Sequence, residues 1–301
     1  MVNVYERVEA NKRKSFVVMV FFVVFVVVVA YVFSQALDYG FSLVGPALIV
    51  SGMMSLGSYY WSDKIILGLS GAREADREKD FEFYTVTENL AMAARLPKPR
   101  LYVIEDTAMN AFATGRDPKH AVVVATTGLL KKLDRTELEG VVAHELSHVA
   151  NYDIRLMSIV VILVGLVALM ADWFLRISFY GGGRKRNSDE NSQLQVVFVV
   201  LGLVLAMLAP LIANLIKLAI SRRREFLADA SAAKLTRYPE GLARALEKLA
   251  QDKEPLEAAN KATAHLYITD PLRNRHDAIG WFAGLFNTHP PVEERIKALR
   301  S

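Results

Sequence analysis

Val141-Val142-Ala143-His144-Glu145-Leu146-Ser147-His148-Val149-Ala150 is the stretch on which the reading of this chain turns. On an α-helix, positions i and i+4 lie one turn apart on one face, so His144 and His148 can offer two imidazoles to a single metal ion. Glu145 falls one residue further round, beside a water on that metal rather than on the metal itself. Zinc lowers the pKa of such a water to about 7, and an adjacent carboxylate takes its proton as the water attacks a polarised carbonyl. This is the chemistry of peptide hydrolysis. Small and apolar residues occupy the other faces, which implies burial. The competing reading, an ordinary helix with two surface histidines, is the weaker one, because imidazoles and a carboxylate buried without a metal are costly.

Outward from the motif, Asp134 is a plausible N-cap, and Glu137 three residues on completes a capping-box pattern for the helix. Before it the sequence predicts a helix at Phe81 to Arg95 and a short strand at Leu101 to Ile104, followed by the segment NAFATG at Asn110 to Gly115. Asp117-Pro118 then signals a turn, and His120 to Thr127 reads as a β-branched strand.

Four apolar runs frame this water-soluble stretch: Phe16 to Phe33, Phe41 to Trp61, Leu156 to Ile177 and Leu194 to Ile216. The first carries no charge and, with its flanks, is long enough to cross a bilayer as a helix. A cleaved signal peptide is the alternative, disfavoured by the length of the run. The second is rich in Gly and Ser and ends in Tyr59-Tyr60-Trp61, suited to close packing and to a membrane interface. The third contains Asp172, for which a place near the interface is the simplest account, and the fourth contains Pro210. Composition agrees: 52% of the 301 residues are hydrophobic and the mean hydropathy is +0.23, high for a soluble protein.

The expectation is a mainly α integral membrane protein with about four transmembrane helices and an α+β zincin-type catalytic domain holding a small β-sheet. Its parts would be 1–62, an amino-terminal hairpin; 63–154, the first catalytic part; 155–217, the third and fourth spans; and 218–301, the second catalytic part. Basic clusters at Lys12 to Lys14 and Arg222 to Arg224 place both chain ends in the cytoplasm by the positive-inside rule. Arg184 to Arg186, in the loop between the last two runs, oppose that assignment, and those runs could instead be an incompletely inserted pair. The clusters read as topology anchors, not nucleic-acid contacts. With no cysteine in the chain, disulfides and thiolate ligands are excluded, so a metal must be held by His, Asp or Glu.

Catalytic zinc wants a third protein ligand and an open position. Glu225, in Arg222-Arg223-Arg224-Glu225-Phe226-Leu227-Ala228-Asp229, is the best candidate, with Asp229 four residues on and on the same face. There Asp229 can hydrogen-bond a ligand histidine. Spacing alone leaves an ordinary charged helix equally open.

HELSH at His144 to His148, SRRREFLADASAA at Ser221 to Ala233, NAFATG and HPPVEERI at His289 to Ile296, in that order with apolar runs around them, resemble the HtpX family of membrane metallopeptidases, distant relatives of the CAAX prenyl endopeptidases. The resemblance covers most of the chain. It implies a gluzincin-type endopeptidase with one zinc per chain on His144, His148 and Glu225, and Glu145 as general base and acid. It further implies clearance of misfolded or damaged membrane proteins, from the cytoplasmic face of the plasma membrane. By the same likeness His289 becomes an oxyanion donor, although alone it would be a surface or capping residue. Arg295 is expected to hold its segment by pairing with an acidic residue such as Asp229. His120 to Thr127 is expected to be an edge strand receiving an extended peptide through Ala121, Val122, Val123 and Val124, with Asn110 bordering the cleft. His120, His265 and His276 are expected to be structural or exposed. A CAAX-type peptidase and a membrane scaffold with structural or no metal are the alternatives; four spans are few for a prenyl chamber, and a structural site would close all four positions.

Overall fold

The computed structural model describes residues 4–36, 41–42, 44–166, 222–252, 254, 256, 266–268 and 290–301. The fourth apolar run, Asp172, the loop carrying Arg184 to Arg186, His265, His276 and His289 lie outside them.

Helix α1, Val4–Ala36, contains a stretch, Val8–Tyr31, long and apolar enough to cross a membrane. Helix α2, Val44–Tyr60, packs along it but at 17 residues is short for a span on its own. Its buried residues are Ser51, Ser55 and Ser58, while Ile49, Met53 and Leu56 are exposed. Small residues allow the two helices to approach closely. A short helix α3, Ser62–Leu69, which the sequence reading had not singled out, leads into the sheet.

Four strands follow: β1, Arg73–Glu74; β2, Arg100–Ile104; β3, Ala111–Thr114; and β4, Val122–Thr126. Helix α4, Phe81–Ala93, lies between β1 and β2, ending two residues before its expected limit. The spatial order is β1-β2-β4-β3, with β2 and β4 parallel and the other pairs antiparallel. Asp117 caps a 3-10 turn, Pro118–His120, by accepting from the His120 backbone N–H, and the chain re-enters the sheet as β4.

This order corrects one expectation. The strand at His120 to Thr127 is interior, not an edge: Val122, Val123 and Val124 face β2 on one side and β3 on the other, and Ala121 is likewise buried. An interior strand has no unpaired backbone to offer a peptide. The edges are β1 and β3, and at the margin of β3 the Ile268 N–H donates to the Ala111 carbonyl at 3.0 Å. Successive side chains alternate faces, so Val123 and Ala125 enter the core under the helices while Val122 and Val124 enter a second core with Ile66, Phe112, Met157, Val161 and Tyr267. Burial on both faces explains why the strand is a continuous apolar run. Asn110 is buried at the turn into β3, its N–H donating to the Thr126 hydroxyl at 3.0 Å.

After helix α5, Thr127–Lys132, comes α6, Arg135–Ala150. Asp134 and Glu137 form the capping box the sequence suggested, and Glu137 also accepts from Lys248 at 2.6 Å. All of α6 from Glu137 to Val149 is buried except Glu139. It turns by 83° into α7, Asp153–Leu166, through Tyr152 in the left-handed conformation, φ 59°. The described part of the third apolar run is α7, and its residues Ile154, Leu156 and Ile159 to Leu163 are buried. Helices α8, Arg222–Thr236; α9, Pro239–Gln251; and α10, Val292–Leu299, complete the described elements. α6 and α9 approach so closely that a Cβ on Gly140 would stand 2.6 Å from the Leu242 nitrogen, and one on Gly241 2.6 Å from the Thr136 carbonyl. This fixes α6, and with it the histidines, against α8, α9 and α4.

Candidate active site

On α6 the His144 and His148 rings stack one turn apart, centroids 4.8 Å apart and nearly perpendicular. Their Nε2 atoms are 3.2 Å from each other. From α8, Glu225 brings Oε2 to 3.6 Å of the His144 Nε2 and Oε1 to 3.6 Å of the His148 Nε2. One donor atom from each of the three residues lies within 4.8 Å of the others, and all three residues are buried.

Each imidazole is held from behind by a carboxylate. Asp229, one turn beyond Glu225, accepts from the His144 Nδ1 at 2.9 Å. Asp153 accepts from the His148 Nδ1 at 3.1 Å. With Nδ1 of each ring engaged in this way, Nε2 is the nitrogen each imidazole has for a metal. The carboxylates are in turn held by guanidiniums: Arg295 of α10 donates through Nε and Nη2 to Asp229, both at 2.8 Å, and Arg224 forms an ion pair with Asp153, Nε to Oδ1 at 2.9 Å. Arg295 is fully buried and also donates to the Ile268 carbonyl at 3.1 Å.

A divalent cation fits these residues on two counts. Tetrahedral zinc with Zn–N of about 2.05 Å separates its donor nitrogens by roughly 3.3 Å, close to the spacing of the two Nε2 atoms. The donor set gives the second: two imidazole nitrogens and one carboxylate, all buried, are the ligand types that catalytic zinc takes while keeping a fourth position open.

Titration behaviour follows the same contacts. Burial alone would lower His144, but Asp229 and Glu225 outweigh it and hold the imidazole at about 9 without metal. Burial would raise Asp229, yet Arg295 and His144 keep it at about 2. Glu145 is pushed above the ordinary carboxylate range by burial, with the two histidines acting in the opposite direction. A carboxylate held higher in this way is better matched to taking up and returning a proton near neutral pH.

The structure thus brings His144, Glu145, His148, Glu225, Asp229 and Arg295 together from α6, α8 and α10. Ala121 to Val124 sit inside the sheet instead, and His120 is exposed, its ring 2.8 Å from the Asp117 carboxylate. Asp153 and Arg224 were not anticipated in these roles. Asp153 has a faint signature, an acid five residues after His148 at the break between helices, but the same position suits a helix start. Arg224 reads only as one of three arginines at a membrane border.

A helix bearing two histidines and a carboxylate, crossed by a second helix bearing an acid and its partner one turn on, defines a metallopeptidase. The chain belongs to peptidase family M48, whose model matches residues 78–301. "Protease HtpX homolog" of Dictyoglomus thermophilum is 45% identical over 296 residues, covering 98% of this chain and 94% of that one. The protein of the same description from Streptococcus uberis is 41% identical over 301 residues, covering 98% and 99%. Among solved structures, S. mikatae Ste24p aligns with a TM-score of 0.49 and 20% identity, over 84% of this chain and 57% of that one.

Proposed function

We propose that this metalloprotease is a zinc endopeptidase that cuts unfolded segments of misfolded or damaged membrane proteins at the cytoplasmic surface of the plasma membrane. The observation that carries the metal is the convergence of the buried His144, His148 and Glu225 donor atoms within 4.8 Å. A zinc ion bound there supplies a Lewis acid for the scissile carbonyl and a water acidified to a pKa of about 7. His144 and His148 present Nε2 lone pairs, and Glu225 presents carboxylate oxygens. Asp229 and Asp153 hold the imidazoles in register. Glu145, next to the ligand helix face, accepts the proton of the attacking water and returns it to the leaving amine. His289 remains the proposed oxyanion donor.

For the setting, the exposed faces of α1 and α2 carry large apolar residues, among them Phe16, Phe21, Ile49 and Met53, while serines of α2 are buried. That is the arrangement lipid favours. The reading assigns 1–62 and 155–217 to the bilayer, as four spans, and 63–154 with 218–301 to the peptidase half. Residues near the amino-terminal end of α1 contact the site, level with Lys12, Arg13 and Lys14, and the positive-inside rule turns that end to the cytoplasm.

The test is metal content and cleavage of an unfolded protein such as casein, by purified wild type and Glu145→Ala. Zinc in both with cleavage by the wild type alone is expected. Cleavage that survives the substitution rejects the role of Glu145, and a wild type without zinc rejects the metal.

A further inference from the structure

Asp153 is the meeting point of three elements. Its Oδ2 accepts from His148 on α6, and its Oδ1 pairs with the Arg224 guanidinium on α8 and accepts from the Asn11 side-chain amide of α1, the last at 2.7 Å. The same Asn11 amide nitrogen donates its second hydrogen to the Asn151 carbonyl at 2.9 Å, in the turn between α6 and α7. Asp153 is 2% exposed and Asn11 6%. Both amide hydrogens are therefore spent inside the protein, on the two residues that flank Tyr152.

Tyr152 is held as well. Its φ of 59° is unfavourable for a non-glycine residue, and its ring lies beneath the Lys12 ammonium at 5.1 Å and the Arg155 guanidinium at 5.0 Å. Cations over a tyrosine face are stabilising. One turn of α1 thus grips both sides of the bend from which Asp153 projects to His148.

The two histidines are supported alike up to this point, each by a carboxylate and an arginine, but the His148 support has an extra member drawn from the apolar amino-terminal helix. From this we infer that α1 is part of the metal centre: Asn11 and Asp153 are positioning residues that set the tautomer and direction of the His148 ring, and α1 tunes zinc affinity through them. The inference rests on the reading that His144, His148 and Glu225 hold zinc. Losing a hydrogen-bond partner of a ligand histidine weakens metal binding by roughly 10- to 100-fold.

The experiment is zinc competition against a chromogenic chelator, using the full chain in detergent, for wild type, Asn11→Ala, Asp153→Ala and the double variant. Asp153→Ala is expected to weaken zinc by roughly 10- to 100-fold and Asn11→Ala by about 3- to 10-fold, with kcat lowered and KM kept in zinc excess. The double variant should bind no worse than Asp153→Ala, because Asn11 acts through that carboxylate. Ser15→Ala, which removes a buried hydroxyl of α1 bonded only within its own helix at 2.8 Å, should bind zinc as wild type does. Should Asp153→Ala fail to fold, the comparison of Asn11→Ala with Ser15→Ala decides by itself. Unchanged zinc affinity in Asn11→Ala, or losses that multiply in the double variant, overturns the inference while leaving the zinc reading intact. A wild type that binds no zinc overturns both.

Discussion

Asp229 and Arg295, 66 residues apart, are joined by two hydrogen bonds of 2.8 Å in a part of the protein that water does not reach. Oδ1 of Asp229 also lies 2.9 Å from the His144 Nδ1, so helix α10 reaches His144 through one carboxylate. Replacing Arg295 by Ala leaves a buried, uncompensated charge. Breaking such a pair costs about 3 to 5 kcal/mol, and Arg295→Lys should recover only part because it loses the planar fork. Thermal unfolding of the two variants, with zinc content measured in parallel, checks the order wild type, then Lys, then Ala.

Glu225 and Asp229 share a helix face but are predicted to differ in effect. Glu225→Ala should remove zinc altogether from purified protein, since a ligand is gone. Asp229→Ala should weaken binding by roughly 10- to 100-fold and retain zinc when the ion is in excess. Equal retention in the two variants, measured by metal analysis after dialysis, would reject the assignment of ligand and support.

Gly140 lies where α6 meets α9, with no room for a methyl beside the Leu242 backbone. Gly140→Ala should lower stability by about 1 to 3 kcal/mol through overpacking. Gly68, on α3 with nothing near its would-be Cβ, provides the contrast. Gly68→Ala should be neutral or stabilising by up to about 1 kcal/mol from helix propensity. Denaturant unfolding of both variants decides.

At the start of α6, the Asp134 carboxylate accepts from the Glu137 N–H at 2.9 Å, and Glu137 returns a bond to the Asp134 N–H at 2.8 Å. Asp134→Ala removes one half of this box and should cost about 1 kcal/mol. Zinc content should be unchanged, because the cap is more than two turns from His144. A fall in zinc content would show that the cap matters to the site as well as to the helix.

Much of this was legible in the chain itself. The capping box, the HExxH helix and the strands β2 and β4 are local, and their signals are residue types at fixed spacing along one element. The short strand β3 and the two-residue β1 carry too few residues for a period to show. The edge assignment failed for a different reason. The run of apolar residues at Ala121 to Ala125 marks burial on both faces, but which neighbour lies on which side is set by the crossover that makes β2 and β4 parallel, and no spacing within β4 encodes that.

By itself the sequence determined the class of chemistry: two imidazoles and a carboxylate at helical spacing, no thiolate, and an ordered set of motifs in an apolar frame. Only the tertiary structure decided how His148 is held. Asp153 and Arg224 behind it, and Asn11 reaching across to Asp153, come from three separate helices, α7, α8 and α1. Helical periodicity sets which residues share a face, whereas hydrogen bonds between distant segments depend on where packing brings those faces together.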